Sequence, residues 1–185
     1  MAQVFVSGTW RDSKAKAFNE EAALLGQALA RRGFDLACGP GTGIARYVID
    51  GYRAEEYRGQ VRYYLPREEY MTAAGEEVAE GADDIEITDF DYPMRNVYQI
   101  SKSDGLFILT GGDGTLEEAL PALIDYGLPV AVVEEAGSAA TALRLLSGVY
   151  PEWQERLLFG QHTAQIIETF CDRVTRSADR TKLVT

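Results

Sequence analysis

Short apolar runs alternate with amphipathic stretches along most of this chain. Residues 3–7, with Val4, Phe5 and Val6 at their centre, predict a strand that stops at Gly8. Phe18, Ala22, Leu25 and Leu29 then recur at helical spacing between residues 15 and 32, and Gly33 stands where a helix C-cap glycine belongs. A second short strand is expected over residues 34–38. The turn Gly39-Pro40-Gly41-Thr42-Gly43 follows, and Ile44, Tyr47, Val48 and Tyr52 mark a second helix. Residues 61–65 are rich in β-formers and end at Pro66, so the opening third alternates strand and helix as a parallel, doubly wound sheet does.

Residues 66–92 break that rhythm with a crowd of acidic side chains, Glu76, Glu77, Glu80, Asp83, Asp84 and Glu86 among them. Two readings stay open for this stretch: a solvated acidic helix and loop, or an insert that lies over a ligand. Ile85-Glu86-Ile87 reads as a short strand within it. The rhythm then returns with a helix over 94–102, a buried strand over 105–109, a turn over 111–115 and a helix over 116–126. Residues 129–133 are apolar on both faces, as in a buried parallel strand. Helices are expected over 138–146 and 163–174, and residues 177–185 read as a polar C-terminal tail that frays. The pattern predicts one α/β domain over residues 1–176. Its sheet is Rossmann-like, doubly wound and mainly parallel, with helices on both faces.

Composition narrows the function. The chain has 185 residues, of which 46% are hydrophobic and 25% charged, enough for one well-buried core. No apolar run approaches the roughly 18 residues that cross a bilayer, and the start of the chain lacks a basic-then-apolar leader, so a cytoplasmic protein without membrane contact is expected. Cys38 and Cys171 are too few for a zinc cluster, and neither a metal nor a cofactor is predicted. A formal net charge of -11 opposes a broad contact with a nucleic-acid backbone. A small anion is still compatible, because surface charge is screened over about 8 Å at physiological salt.

The chemistry concentrates at Gly111-Gly112-Asp113-Gly114-Thr115. A strand that runs through this turn straight into a helix leaves N–H groups at the helix start without partners, and they attract an anion. In an open α/β sheet this end of the strands is where ligands bind. The same glycines also suit a purely structural turn. Walker-type and dinucleotide G-x-G-x-x-G spacings are absent. Glu118 reads equally as a site carboxylate and as the closing member of a capping box begun by Thr115. A phosphate beside carboxylates needs a cation, for which Arg95 is the natural candidate, with a surface salt bridge as its other reading. Ser7, Gly8 and Thr9 end the first strand at the same sheet end and offer hydroxyls and amides there.

These residues resemble the LOG ("lonely guy") family of phosphoribohydrolases, formerly called lysine decarboxylases. The family pattern P-G-G-x-G-T-x-x-E matches residues 110–118, and the M-x-x-R-K helix is similar to the stretch with Met94 and Arg95. Gly39, Gly41 and Gly43 resemble the family's earlier glycine loop, so the similarity runs to about Val133. It implies cleavage of the N-glycosidic bond of a nucleoside 5′-monophosphate without a metal, with Glu118 and Arg95 as the catalytic pair. It implies that Gly111, Gly112, Asp113, Gly114 and Thr115 hold the phosphate, with Ser7, Gly8, Gly39, Gly41 and Gly43 completing the nucleotide site. It further implies a homodimer. Thr110 replaces the family proline, Asn96 stands where the family has lysine, and Met94 directly precedes Arg95. The missing lysine removes a positive charge, which keeps open a second reading: a nucleotide sensor or a carrier like those of the molybdenum cofactor, without turnover. His162 is the only histidine and reads as structural. Eight of the ten tyrosines lie between Tyr47 and Tyr98, as core edge, subunit contact or base-stacking groups.

Overall fold

The computed structural model describes residues 1–56, 59–134, 137–161 and 163–182, with side chains to residue 178. His162 and Tyr57 lie outside the described residues. In chain order the elements are β1 (Gln3–Ser7), α1 (Asp12–Ala15), a 3-10 turn (Lys16–Phe18), α2 (Asn19–Arg31), β2 (Asp35–Cys38) and α3 (Ile44–Arg53). There follow β3 (Val61–Leu65), α4 (Glu68–Ala74), β4 (Asp84–Ile87), α5 (Tyr92–Ser101), β5 (Gly105–Ile108) and α6 (Asp113–Ile124). The chain ends with β6 (Val130–Val133), α7 (Ser138–Ser147), a 3-10 turn (Pro151–Glu155), β7 (Leu157–Gly160) and α8 (Thr163–Lys182).

The strands form one seven-stranded sheet in the order β4-β3-β2-β1-β5-β6-β7, and every pairing is parallel. The expected Rossmann-like class holds, with a wholly parallel sheet. Full burial explains the apolar runs: β1, β5 and β6 are buried along their whole length. Tyr63, Leu36, Val4, Phe107 and Ala131 belong to the core on one face, against α2, α3 and α8. Tyr64, Phe5, Leu106, Ile108 and Val132 belong to the core on the other, against α5, α6 and α7. Alternate residues of one strand therefore serve opposite cores, as the two-residue period of a strand requires. Helices α2 and α3 cross closely because Gly26 and Gly51 carry no side chain; a Cβ would stand 2.0 Å from the Val48 oxygen at the first and 2.1 Å from the Ala23 oxygen at the second.

Several elements differ from the sequence reading. The single helix expected over 15–32 is broken into α1, a 3-10 turn and α2. Residues 66–92 contain both a helix, α4, as one of the two readings had it, and the short strand, β4. Helix α8 runs on to Lys182, so the expected polar tail begins as its last turns. Strand β7, which the sequence pattern did not predict, extends the sheet beside β6 with Val130 opposite Leu157. Among the described residues, no helix is long and apolar enough to cross a membrane.

Candidate ligand-binding and active site

The strand order reverses at β1, which lies between β2 and β5. The loops leaving β1 and β5 diverge there and open a crevice at the carboxyl ends of the strands, as the general rule for α/β sheets predicts. The crevice is a cleft of about 720 Å3 lined by Ser7, Gly8, Gly39, Arg95, the turn from Thr110 to Thr115 and Glu118. Most of the residues singled out from sequence thus meet at one place. Gly41 and Gly43 do not line it. A Cβ on Gly41 would collide with the Tyr63 ring, and Gly43 packs against the backbone of Thr9 and Trp10. Their part is to let the second glycine turn fold tightly behind the cleft wall.

Helix α6 begins at Asp113, with Gly112 as N-cap and no side chain capping it. The Leu116 N–H returns to the Gly112 oxygen at 3.0 Å, while among the described residues the amides of Asp113, Gly114 and Thr115 have no side-chain or turn acceptor. The helix mouth is therefore open to an anion. Gly111 makes the turn possible: its φ is 150°, and a Cβ there would stand 2.0 Å from the Thr115 hydroxyl.

The two readings of Glu118 now separate. Because α6 starts two residues before Thr115, that residue is inside the first turn and opens no capping box. The Glu118 carboxyl instead accepts a very short hydrogen bond from the Ser7 hydroxyl and another from Gln99 Nε2 at 2.7 Å. Ser7 Oγ also lies 3.0 Å from Thr115 Oγ1, so the strand end, the helix start and the carboxyl share one hydroxyl chain. Burial pushes the Glu118 carboxyl up to about 7 against the downward pull of Ser7, Arg95 and Gln99. Such a group takes up or releases a proton near neutrality.

Arg95 projects from α5 and is buried. Its Nη1 donates to the Tyr64 carbonyl at 3.2 Å and to Gln99 Oε1 at 3.0 Å, and the guanidinium lies over the Tyr92 ring, 5.4 Å from its centroid. Gln99 thus bridges Arg95 and Glu118. Asn96, in place of the family lysine, donates to Glu117 at 3.0 Å. Two buried side-chain polar atoms lack a partner among the described residues, Thr42 Oγ1 and Arg95 Nε, and both residues line this cleft. Buried polar groups are nearly always hydrogen-bonded, so the pair marks where an outside acceptor or donor belongs.

The acidic insert borders the site. Ala74 and Glu76 line the cleft, and Tyr92 donates to Glu76 at 2.6 Å. The Ala79 N–H donates to the Pro40 carbonyl at 2.8 Å, which ties the insert to the second glycine turn. Asp113 is exposed at the start of α6, and Asp104 accepts from the Gln3 N–H at 2.8 Å, a structural contact at the start of β1. Gln99, Thr42 and Trp10 escaped the sequence reading. Gln99 sits four residues after Arg95, one helical turn along the same face, and that spacing is the signal by which it was discoverable.

The sequence pattern of the SLOG cluster4 family matches residues 1–157. Among solved structures, TM1055, a structural genomics target, is 24% identical with a TM-score of 0.73, over 91% of this chain and 99% of that one. The molybdenum cofactor carrier protein of Chlamydomonas reinhardtii is 18% identical with a TM-score of 0.75, over 94% of this chain and 98% of the carrier. DNA processing protein A of Helicobacter pylori, described for its single-stranded DNA binding mode, is 17% identical with a TM-score of 0.61, over 92% and 80% of the two chains. At these identities the likeness is one of fold. A search of curated proteins gave no match.

Proposed function

The chain belongs to the SLOG cluster4 family, within the superfamily that the LOG motifs point to, and from that premise we propose that its cleft binds a nucleoside 5′-monophosphate or similar ribotide and hydrolyses the N-glycosidic bond. The observation that carries this reading is Glu118, a buried carboxyl pushed up to about 7 that lines the same cleft as an uncapped helix mouth. The phosphate sits on the amides of Asp113, Gly114 and Thr115, with Arg95 supplying the positive charge through its unpartnered Nε. Anchoring at the phosphate holds the reacting carbon in place. As the bond from that carbon to the base nitrogen breaks, its electron pair leaves with the base, and the carboxylate of Glu118 steadies the cationic sugar. Glu118 then takes a proton from the attacking water, whose oxygen bonds to the sugar carbon, and the proton passes on to the departing base. The products are a free base and ribose 5-phosphate.

Incubation with a panel of nucleoside monophosphates, followed by chromatography for free base, tests the proposal. Base release that falls by about two orders of magnitude or more in Glu118→Gln supports it; no release, or release indifferent to that substitution, defeats it.

One observation favours a second reading. Asn96 spends its amide on Glu117 where the LOG family has a lysine, so the site has one cation fewer. A binding protein that holds a nucleotide or pterin-type ligand intact, as a sensor or carrier, fits that loss. Such a ligand raises the melting temperature and is recovered unchanged. The LOG resemblance extends to a homodimer, and the exposed apolar side chains of Ile124, Leu145 and Val149 on α6, α7 and the following turn offer surface for it.

A further inference from the structure

One wall of the cleft is made by the loop after β1, and it carries groups that neither the phosphate mouth nor Glu118 accounts for. Trp10, Arg11 and Lys14 line the cleft on this side. Trp10 is 55% exposed, whereas the other tryptophan, Trp153, is 3% exposed and stacked on Tyr150. A large indole left this open at a ligand cleft is unusual, because burying it is strongly favourable. Its backbone, in contrast, is pinned. The Ile44 N–H donates to the Thr9 carbonyl at 3.0 Å, the Gly43 N–H donates to Asp12 at 3.1 Å, and a Cβ on Gly43 would stand 2.6 Å from the Trp10 Cα. The loop is held against the second glycine turn while the ring stays more than half exposed.

We propose that Trp10 is the stacking platform for the flat heterocycle of the ligand, in the same cleft as the phosphate mouth. This deepens the nucleotide reading above and rests on it. Trp10 stands three positions after Ser7, a span of at most about 11 Å of extended chain, so the indole is within reach of a ligand seated at Glu118. The Arg11 guanidinium lies over the Trp10 ring at 5.4 Å, which orients the indole and puts a positive charge beside it. Thr42, whose buried hydroxyl lacks a partner among the described residues, lines the same cleft from the adjoining turn and offers one hydrogen bond to a polar edge of the ligand. Phe5 is buried and Tyr92 is only partly exposed, with its hydroxyl on Glu76, whereas Trp10 is 55% exposed even with Arg11 over its ring, so among the described aromatic side chains lining the cleft Trp10 is the most open for stacking. Stacking is tolerant of base identity because every base presents a π-face, so this wall selects for a flat ring rather than for one base.

The test uses the Glu118→Gln protein, so that ligands stay intact, with and without Trp10→Ala. AMP, GMP, CMP and UMP are compared with ribose 5-phosphate, which has the phosphate and sugar but no ring. Trp10→Ala is expected to weaken the nucleotide that binds best by about five- to hundredfold and to leave ribose 5-phosphate within about twofold. Tryptophan emission responds to that nucleotide only when Trp10 is present, since the remaining Trp153 is buried away from the cleft. Retained ribose 5-phosphate binding shows that the variant is folded. Equal nucleotide affinity with and without the indole overturns the stacking proposal alone. Failure of every nucleotide and of ribose 5-phosphate to bind the Trp10-containing protein removes the nucleotide reading beneath it.

Discussion

At the residue scale one buried carboxyl stands out. Glu118 has an ordinary value of 4.5 and is pushed up to about 7 by burial in the fold. Its neutral form is therefore favoured when the chain is folded, and the stability this gives is full below about pH 4.5 and lost as the pH rises through about 7. Glu118→Gln, which stays neutral, is expected to match the parent near pH 4. It should exceed the parent by roughly 3 kcal/mol above pH 8 in urea unfolding. A constant difference across that range would mean that the carboxyl is not held neutral by its surroundings. The motif made Glu118 visible in the sequence, but its partners were less so. Ser7 was expected to help complete the nucleotide site; it lines the cleft and also donates to Glu118, because β1 and α6 meet across 111 positions of sequence, a proximity that only the sheet order creates. Thr42 lies in the second glycine turn, where only the glycines were singled out, and Trp10 carries no motif; they stand out through a hydroxyl unpartnered among the described residues and an exposed ring, and both properties exist only after folding.

At the scale of elements, the turn into α6 is the part most sensitive to a single methyl group. Gly111→Ala forces a side chain into a φ of 150° and places its Cβ 2.0 Å from the Thr115 hydroxyl, which would displace Thr115 from Ser7. The expected cost is about 1–3 kcal/mol, a drop in Tm of roughly 3–10 °C for a chain of this size, with loss of phosphate binding. An unchanged Tm and unchanged binding would contradict the role given to this turn. The buried strands were legible because their apolar runs are bounded by glycine or proline; β3 was predicted at its observed limits, Val61–Leu65. β7 was not: it is no shorter than β5 or β6, but its apolar residues, Leu157, Leu158 and Phe159, include no β-branched side chain and only the first is buried. The start of α6 was expected three residues late. Gly112 and Asp113 read as turn residues, yet the uncapped helix begins on Asp113. That shift is what removes the capping-box reading of Glu118.

At the scale of the molecule, an acidic chain is proposed to carry an anion site. The net charge of -11 opposes extended polyanions, while the helix mouth, Arg95, Arg11 and Lys14 act within a screening length on a small one. Single-stranded DNA is therefore expected to bind no more tightly than about 0.1 mM at physiological salt, by fluorescence anisotropy of a labelled oligonucleotide, although a protein of similar fold is described for such binding. Micromolar DNA affinity would show that charge distribution outweighs net charge here. The alternation of strands and helices made the fold class legible, but the strand order was not, and the order brings β1 beside β5 and so makes the cleft. The central claim is that the open mouth of α6 grips a phosphoryl group. Backbone amide NMR during titration with ribose 5-phosphate tests it most directly. Saturable shifts centred on Asp113, Gly114 and Thr115 are the predicted result; shifts that bypass those three amides, or none at all, would contradict it.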